Sequence, residues 1–299
     1  MTAAAGAARG AGAPLVRRRS WLERVGRLSR KYPMGAVSAV ALVLLVGIAI
    51  FAGPVARADP YQVGLGGILE RPSGAHWFGT DNFGRDAFAR IVYGARVSLL
   101  VGTFSVAIGT GFGTVIGIIS PVAGRWPDYV IQRFIDALFA FPPIILSIAI
   151  VSVLGAGVTQ VTVAIGIVSI PRVARVVRSS TLGVLSLPYV EAARTIGARM
   201  PRIMFRHILP NVLAPVVILV SAGFATAILA EASLSFLGLG TPPPTPSWGQ
   251  MLSGAAQQFV RQAPWMAVFP GLAITLAVLA FNLFGDAMRD ALDPRLRGS

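Results

Sequence analysis

The chain has 299 residues, 55% of them hydrophobic and only 13% charged, with 26 basic against 12 acidic side chains and no cysteine. A soluble domain carries about 25% charged residues, so this composition, with a mean hydropathy of +0.71, points to a multi-span membrane protein. Disulfides and thiolate chemistry are excluded, and two widely separated histidines, His76 and His207, argue against a histidine-rich metal site.

Residues 1–33 form a basic tail: Arg9, Arg17, Arg18, Arg19, Arg24, Arg27, Arg30 and Lys31 stand against one acid, Glu23. Its first 14 residues, rich in alanine and glycine, read as disordered. A first span follows over 34–55, 22 uncharged residues. At 1.5 Å per residue this gives roughly 33 Å of helix, enough to cross a bilayer core. The preceding "VRRRSWLERVG" and the following "ARA" mimic a signal peptide, but the apolar run is too long and five more runs follow.

Residues 56–95 read as an external loop with four basic and four acidic side chains. Further apolar runs are Val97–Val122, Ala137–Val153, Gly157–Ile170, Val212–Ala230 and Met266–Phe284. In the second run Gly109, Gly113 and Gly117 make overlapping GxxxG patterns, and Gly111 adds to them, which suits close helix packing. The sequence thus predicts an all-α membrane protein of about six spans, with a core over 96–287 and a tail over 288–299.

Basic residues concentrate in cytoplasmic loops. The N-terminal tail, the loop at Arg125 and Arg133, and the stretch 171–211 with seven arginines and one acid alternate with charge-poor segments, of which 236–264 holds only Arg261. Six spans then place both termini in the cytoplasm. The net charge of +14 is a topology signal and calls for no nucleic acid.

The only lysine, Lys31, stands in "LSRKYP", so this chain carries no P-loop nucleotide site. No acid lies inside an apolar run; Asp136, Glu231 and Asp286 border one. Arg133 and Asp136 are three residues apart on a helix face and can pair, as can Asp286 and Arg289. Glu231 reads either as a hydrogen-bonded bundle residue or as a gate or substrate-path residue. The pattern is that of a transport bundle without an engine or an evident coupling-ion site.

The stretch "EAARTIGARMPRIMFRHILPN", Glu191 to Asn211, stands out against this background. A helix starting near Leu187–Pro188 places Glu191 in its early turn, favourable to the helix dipole. Gly197 implies a bend or a close approach by another backbone, and Pro201 opens or interrupts a second helix. Arg199, Arg202 and Arg206 share one face, with Ile203, Met204 and Ile208 beside it. The segment fits either an amphipathic helix on anionic lipid or one that plugs into a partner's groove.

The segment resembles the EAA loop of binding-protein-dependent ABC importer permeases: Glu-Ala-Ala, three residues, Gly, nine residues, Ile-x-Leu-Pro. Glu191, Ala192, Ala193, Gly197, Leu209 and Pro210 match at that spacing. His207 replaces the isoleucine, and "HILPN" is the form usual in the dipeptide/oligopeptide branch. Three more stretches resemble that branch's C-type permeases: "HWFGTDNFGRDAFARIVYGARVSLLVG" (76–102), "EASLSFLGLGTPPPTPSWGQML" (231–252) and "APWMAVFPGLAITLAVLAFNLFGDAMRDALDPRLR" (263–297).

The resemblance implies a type I ABC importer permease fold in the bacterial inner membrane. It implies pairing with a B-type permease, two ATP-binding cassette subunits and an extracytoplasmic binding protein, within membrane lipid. ATP and Mg would be held by the ATPase subunits, with no cofactor in this chain. The EAA segment over 187–211 would be the coupling helix, with Glu191 meeting a basic ATPase residue and Gly197 allowing close approach. Cargo would be di- or oligopeptides, with nickel, glutathione or another binding-protein cargo as alternatives within the fold. An ATP-independent secondary transporter is the rival class. In the outer segment "GTDNFGRD", Asp81, Arg85 and Asp86 face the binding protein or fix the loop by local pairs. "TPPPTPSW", three of whose prolines are consecutive, reads as a rigid external lid.

Overall fold

A computed structural model describes residues 30–253 and 258–292. Most of the basic tail, from residue 1 to residue 29, and the tail residues 293–299 lie outside the described residues. The elements are α1 (Pro33–Ile50), α2 (Ala52–Ala56), α3 (Ala87–Val122), α4 (Arg125–Phe139), α5 (Pro143–Leu154), α6 (Val158–Leu185), α7 (Pro188–Thr195), α8 (Met200–Ile203), a π-helical turn (Met204–Ile208), α9 (Leu209–Phe236), α10 (Trp248–Leu252) and α11 (Trp265–Leu292). The described residues contain no β-strand, only one isolated bridge between Thr80 and Asp86. Five helical segments are long and apolar enough to cross a membrane; α4 and α5, bent 90° at their junction, make up a sixth.

The sequence reading needs two corrections. First, the segment expected as a loop over 56–95 ends at Asp86, because α3 begins ten residues before the expected second span. Asp86 caps it, its side chain accepting from the Ala89 N–H at 2.7 Å. Second, the run 137–153 is no straight helix. Pro142 and Pro143 break it, since the residue before a proline is pushed out of the helical region. The amphipathic α4 carries Arg125, Asp128, Arg133 and Asp136, and only the 12-residue α5 is free of charged residues. The fourth run, too short to span without flanking residues, continues past Ile170, with Pro171 inside α6, and the helix runs on to Leu185.

The core is built on α3 and α6. Gly109, Gly113 and Gly117 of α3 face Ser169, Val173 and Val177 of α6 so closely that a Cβ at any of the three would meet the opposite helix at 2.6–2.7 Å. Gly111, on another face, touches nothing. α9 and α11 pack antiparallel, Phe224 stacking on Phe281 and Ser221 lying against Gly285. Tyr32 donates to the Asp290 carbonyl at 3.3 Å, which brings the start of α1 beside the end of α11.

Ion pairs fasten α4 to α6. Arg178 holds Asp128, and Arg175 holds Asp136 at 2.8 Å; the expected Arg133–Asp136 pair is present but longer, at 3.9 Å. Arg175 wins because α4 lies across α6 and brings Asp136 to it. Asp286 and Arg289 do not pair.

Candidate functional site

One end of the bundle carries the EAA segment. Pro188 starts α7 and Glu191 falls in its first turn. Val190 and Ala193 are buried, and Val190 joins Val184, Ile203, Ile208 and Val212 in one apolar cluster. Glu191 and Ala192 are exposed, and Ile196 is 86% exposed. A helix that buries one side and leaves a large apolar residue open beside it has a second face without a partner among the described residues.

Gly197 ends α7. Its φ is +85°, and two backbone bonds close the turn: Gly197 N–H to the Arg194 carbonyl at 2.9 Å and Ala198 N–H to the Ala193 carbonyl at 3.0 Å. This is a Schellman cap, where the left-handed backbone favours glycine. Among the described residues no atom lies within 4 Å of a Cβ built there. Of the two sequence expectations for Gly197, the chain itself supplies the bend. Pro201 opens α8, and Pro210 starts α9 with Leu209 half-buried beside it. From Met200 to Phe236 the helix is continuous for 37 residues.

The other end carries the segments 57–86 and 237–253. Asp81, Arg85 and Asp86 are all buried. Asp81 accepts from the Arg85 side chain at 2.7 Å and from the backbone N–H groups of Phe83 and Arg85. Asp86 caps α3 and lies 2.8 Å from His76 Nδ1. The three therefore fix the loop by local pairs and present no side-chain surface to a partner.

The hub of this end is Arg90, a residue that the sequence reading passed over. It is 2% exposed and donates to the carbonyls of Pro60 and Pro244 and to Gln250 Oε1, with Asp81 at 3.6 Å. One signal was available: an arginine in the first turn of a helix opposes the helix dipole, so another interaction must hold it. "TPPPTPSW" packs into this assembly, with Trp248 buried against Gly94 and donating to the Ile91 carbonyl at 2.9 Å. Trp265 donates to the Thr80 carbonyl, and Phe78 stacks on Phe269, so α11 is tied in as well.

Glu231 is 1% exposed and does not line the cavity between α3, α5, α6 and α9. Ser235 donates to it at 2.7 Å and Ser98 at 3.5 Å. Of the two sequence readings, this geometry is that of a hydrogen-bonded bundle residue.

The cavity, about 410 Å³, opens between α3, the α4–α5 bend, α6 and α9. Thr110, Ser147, Ser169, Thr226 and Ser233 line it, yet each donates its hydroxyl proton to a carbonyl of its own helix. Arg172 also lines it; unlike Arg175 and Arg178 it has no acid partner among the described residues.

Residues 113–298 match the family described as "Binding-protein-dependent transport system inner membrane component". The chain belongs to that family. The permease is 45% identical to the dipeptide transport system permease protein DppC of Alkalihalophilus pseudofirmus, over 93% of this chain and 90% of that one. It is 46% identical to the glutathione transport system permease protein GsiD of Escherichia coli O6:K15:H31, over 95% of each. A chain of the inward-facing MetNI methionine ABC transporter aligns with a TM-score of 0.51 at 19% identity, covering 66% of this permease and 91% of that chain, which shows a shared ABC importer permease fold. The permease is thus a multi-pass inner membrane subunit of an ABC importer.

Proposed function

We propose that this permease is the C-type half of a di- or oligopeptide importer, paired with a B-type permease and driven by two separate ATPase subunits that bind ATP and Mg. A binding protein delivers the cargo on the outer side, and both termini lie in the cytoplasm. The observation that carries this reading is the two-faced α7: Val190 and Ala193 bury into the bundle, while Glu191, Ala192 and Ile196 are left open at the arginine-rich end. An exposed apolar residue beside a carboxylate fits a protein groove better than water. Glu191 then meets a basic ATPase residue, and Leu209 and Pro210 set the start of the helix behind it. Closure of the ATPase pair moves α7 and rocks the bundle as a rigid body.

The cavity supports a role in the pathway. Its hydroxyls are spent on their own helices, so it offers apolar surface with few directed donors. Such a wall passes peptides without reading their sequence and leaves selection to the binding protein. The relatives named for dipeptide and for glutathione both suit cargo with amide backbones.

The test is uptake of labelled dipeptide by proteoliposomes containing the full complex. Uptake requires internal ATP and the binding protein, and dipeptide outcompetes glutathione. Glu191→Lys leaves the permease in the membrane and abolishes uptake. Uptake driven by a proton gradient without ATP overturns the proposal.

A further inference from the structure

We propose that Glu231 is a positioning residue: it locks the outer segment 240–252 to the long helix that rises from the EAA segment, so that the outer mouth follows the coupling end. The inference rests on the importer reading above.

Glu231 sits five residues before the end of the continuous helix Met200–Phe236. Its carboxyl is almost wholly buried, and no ion pair among the described residues includes it. A buried carboxyl without a cation is costly unless hydrogen bonds satisfy it. Two hydroxyls donate to it, Ser235 on α9 and Ser98 on α3, and Ser247, buried at the start of α10, lies close by. Ser247 accepts from the Gln250 N–H, so its oxygen caps α10 beside this group.

The same place joins the backbones. The Ser235 oxygen accepts from the Thr241 N–H at 3.3 Å. Gly240 and Gly249 lie so close to Ser235 and Ala232 that neither tolerates a Cβ. Segment 240–252 is thus wedged between α9 and α3, and Glu231 is the polar pin of the wedge. A rigid helix with its lower end at the EAA segment and its upper end pinned to an outer lid carries displacement from one end to the other. A plain packing role needs no buried carboxyl here, since an apolar side chain fills the space at lower cost.

The complete importer in nanodiscs tests this by its ATP hydrolysis with and without peptide-loaded binding protein. Glu231→Ala assembles and keeps basal hydrolysis, but stimulation by the loaded binding protein falls about fivefold or more, the scale of an allosteric coupling. Ser247→Ala, outside the long helix, shows the same loss; Glu231→Gln, which keeps one acceptor oxygen, recovers part of it. Full stimulation in both alanine variants overturns the inference. So does a parallel loss of basal hydrolysis and stimulation in Ser247→Ala, which marks a folding role. If the wild-type complex itself shows no stimulation, the importer reading fails instead.

Discussion

Arg178 on α6 grips the carboxylate of Asp128 on α4 across fifty residues of sequence, with Nε at 2.8 Å from Oδ1 and the second nitrogen on Oδ2. Ser120 of α3 donates to the same carboxylate, and Gln132 donates to Ser120 at 3.0 Å. The cluster fixes α4 against the ends of two spans. Arg178→Ala leaves a half-buried carboxylate unpaired and costs about 1–2 kcal/mol, between the values for exposed and buried pairs. Arg172→Ala, one turn and a half earlier on the same helix, removes a cation without an acid partner and stays within about 0.5 kcal/mol of wild type. Thermal unfolding of both variants in one detergent checks the difference; equal melting temperatures refute it.

The glycines of α3 give a second contrast. Gly113 faces Val173 and the Ala174 backbone so closely that an added methyl forces α3 and α6 apart. Gly113→Ala is expected to destabilise by about 1–3 kcal/mol, the range for overpacking a filled interface. Gly111 has open space around it, so Gly111→Ala is neutral or mildly stabilising by up to about 1 kcal/mol through helix propensity. The pair of melting curves decides whether the GxxxG spacing or glycine content alone matters.

Much of the architecture was legible because it is written locally. Continuous apolar runs gave the spans, the spacing of Gly109, Gly113 and Gly117 gave the tightest helix pair, and the EAA pattern lies within one stretch of sequence. The α4–α5 bend was missed although Pro142 and Pro143 stand in plain view, because hydropathy stays high across them and periodicity says nothing about direction. The outer assembly was not legible. Arg90 meets Pro244 and Gln250 across 154 and 160 positions, and Ser98 meets Glu231 across 133. Such contacts follow from packing the spans and leave no local signature. For the acids of "GTDNFGRD" the sequence left two readings open, a contact surface or local pairs, for the same reason: burial and partners follow from the fold.

Gly197 separates two physical demands. If the left-handed backbone matters most, a residue that tolerates that region outperforms a smaller one that does not. Asparagine enters it far more readily than alanine, which pays about 1–2 kcal/mol for a left-handed conformation. Gly197→Asn is therefore expected to retain more ATP-dependent peptide uptake than Gly197→Ala, despite its larger side chain. The reverse order, with the smaller side chain better, makes close approach by the ATPase the dominant demand. Membrane levels of both variants, compared by immunoblot, keep expression out of the result.

Arg90 tests whether the outer assembly is a unit separable from the bundle. Its guanidinium uses both terminal nitrogens, holding Pro60, Pro244 and Gln250 together beside Asp81. Arg90→Met keeps the bulk of the side chain but orphans two backbone carbonyls and the Gln250 amide oxygen in a buried place, each costing about 1–3 kcal/mol. The spans do not depend on these bonds, because α3 packs on α6 through its glycines farther along. Limited proteolysis of purified complex is then expected to cleave within 57–86 and 237–253 several times faster than in wild type, while the transmembrane fragments stay associated. Arg90→Lys supplies charge without the planar fork and restores only part of the resistance. Unchanged proteolysis in Arg90→Met contradicts the hub, and loss of the whole complex contradicts its separability.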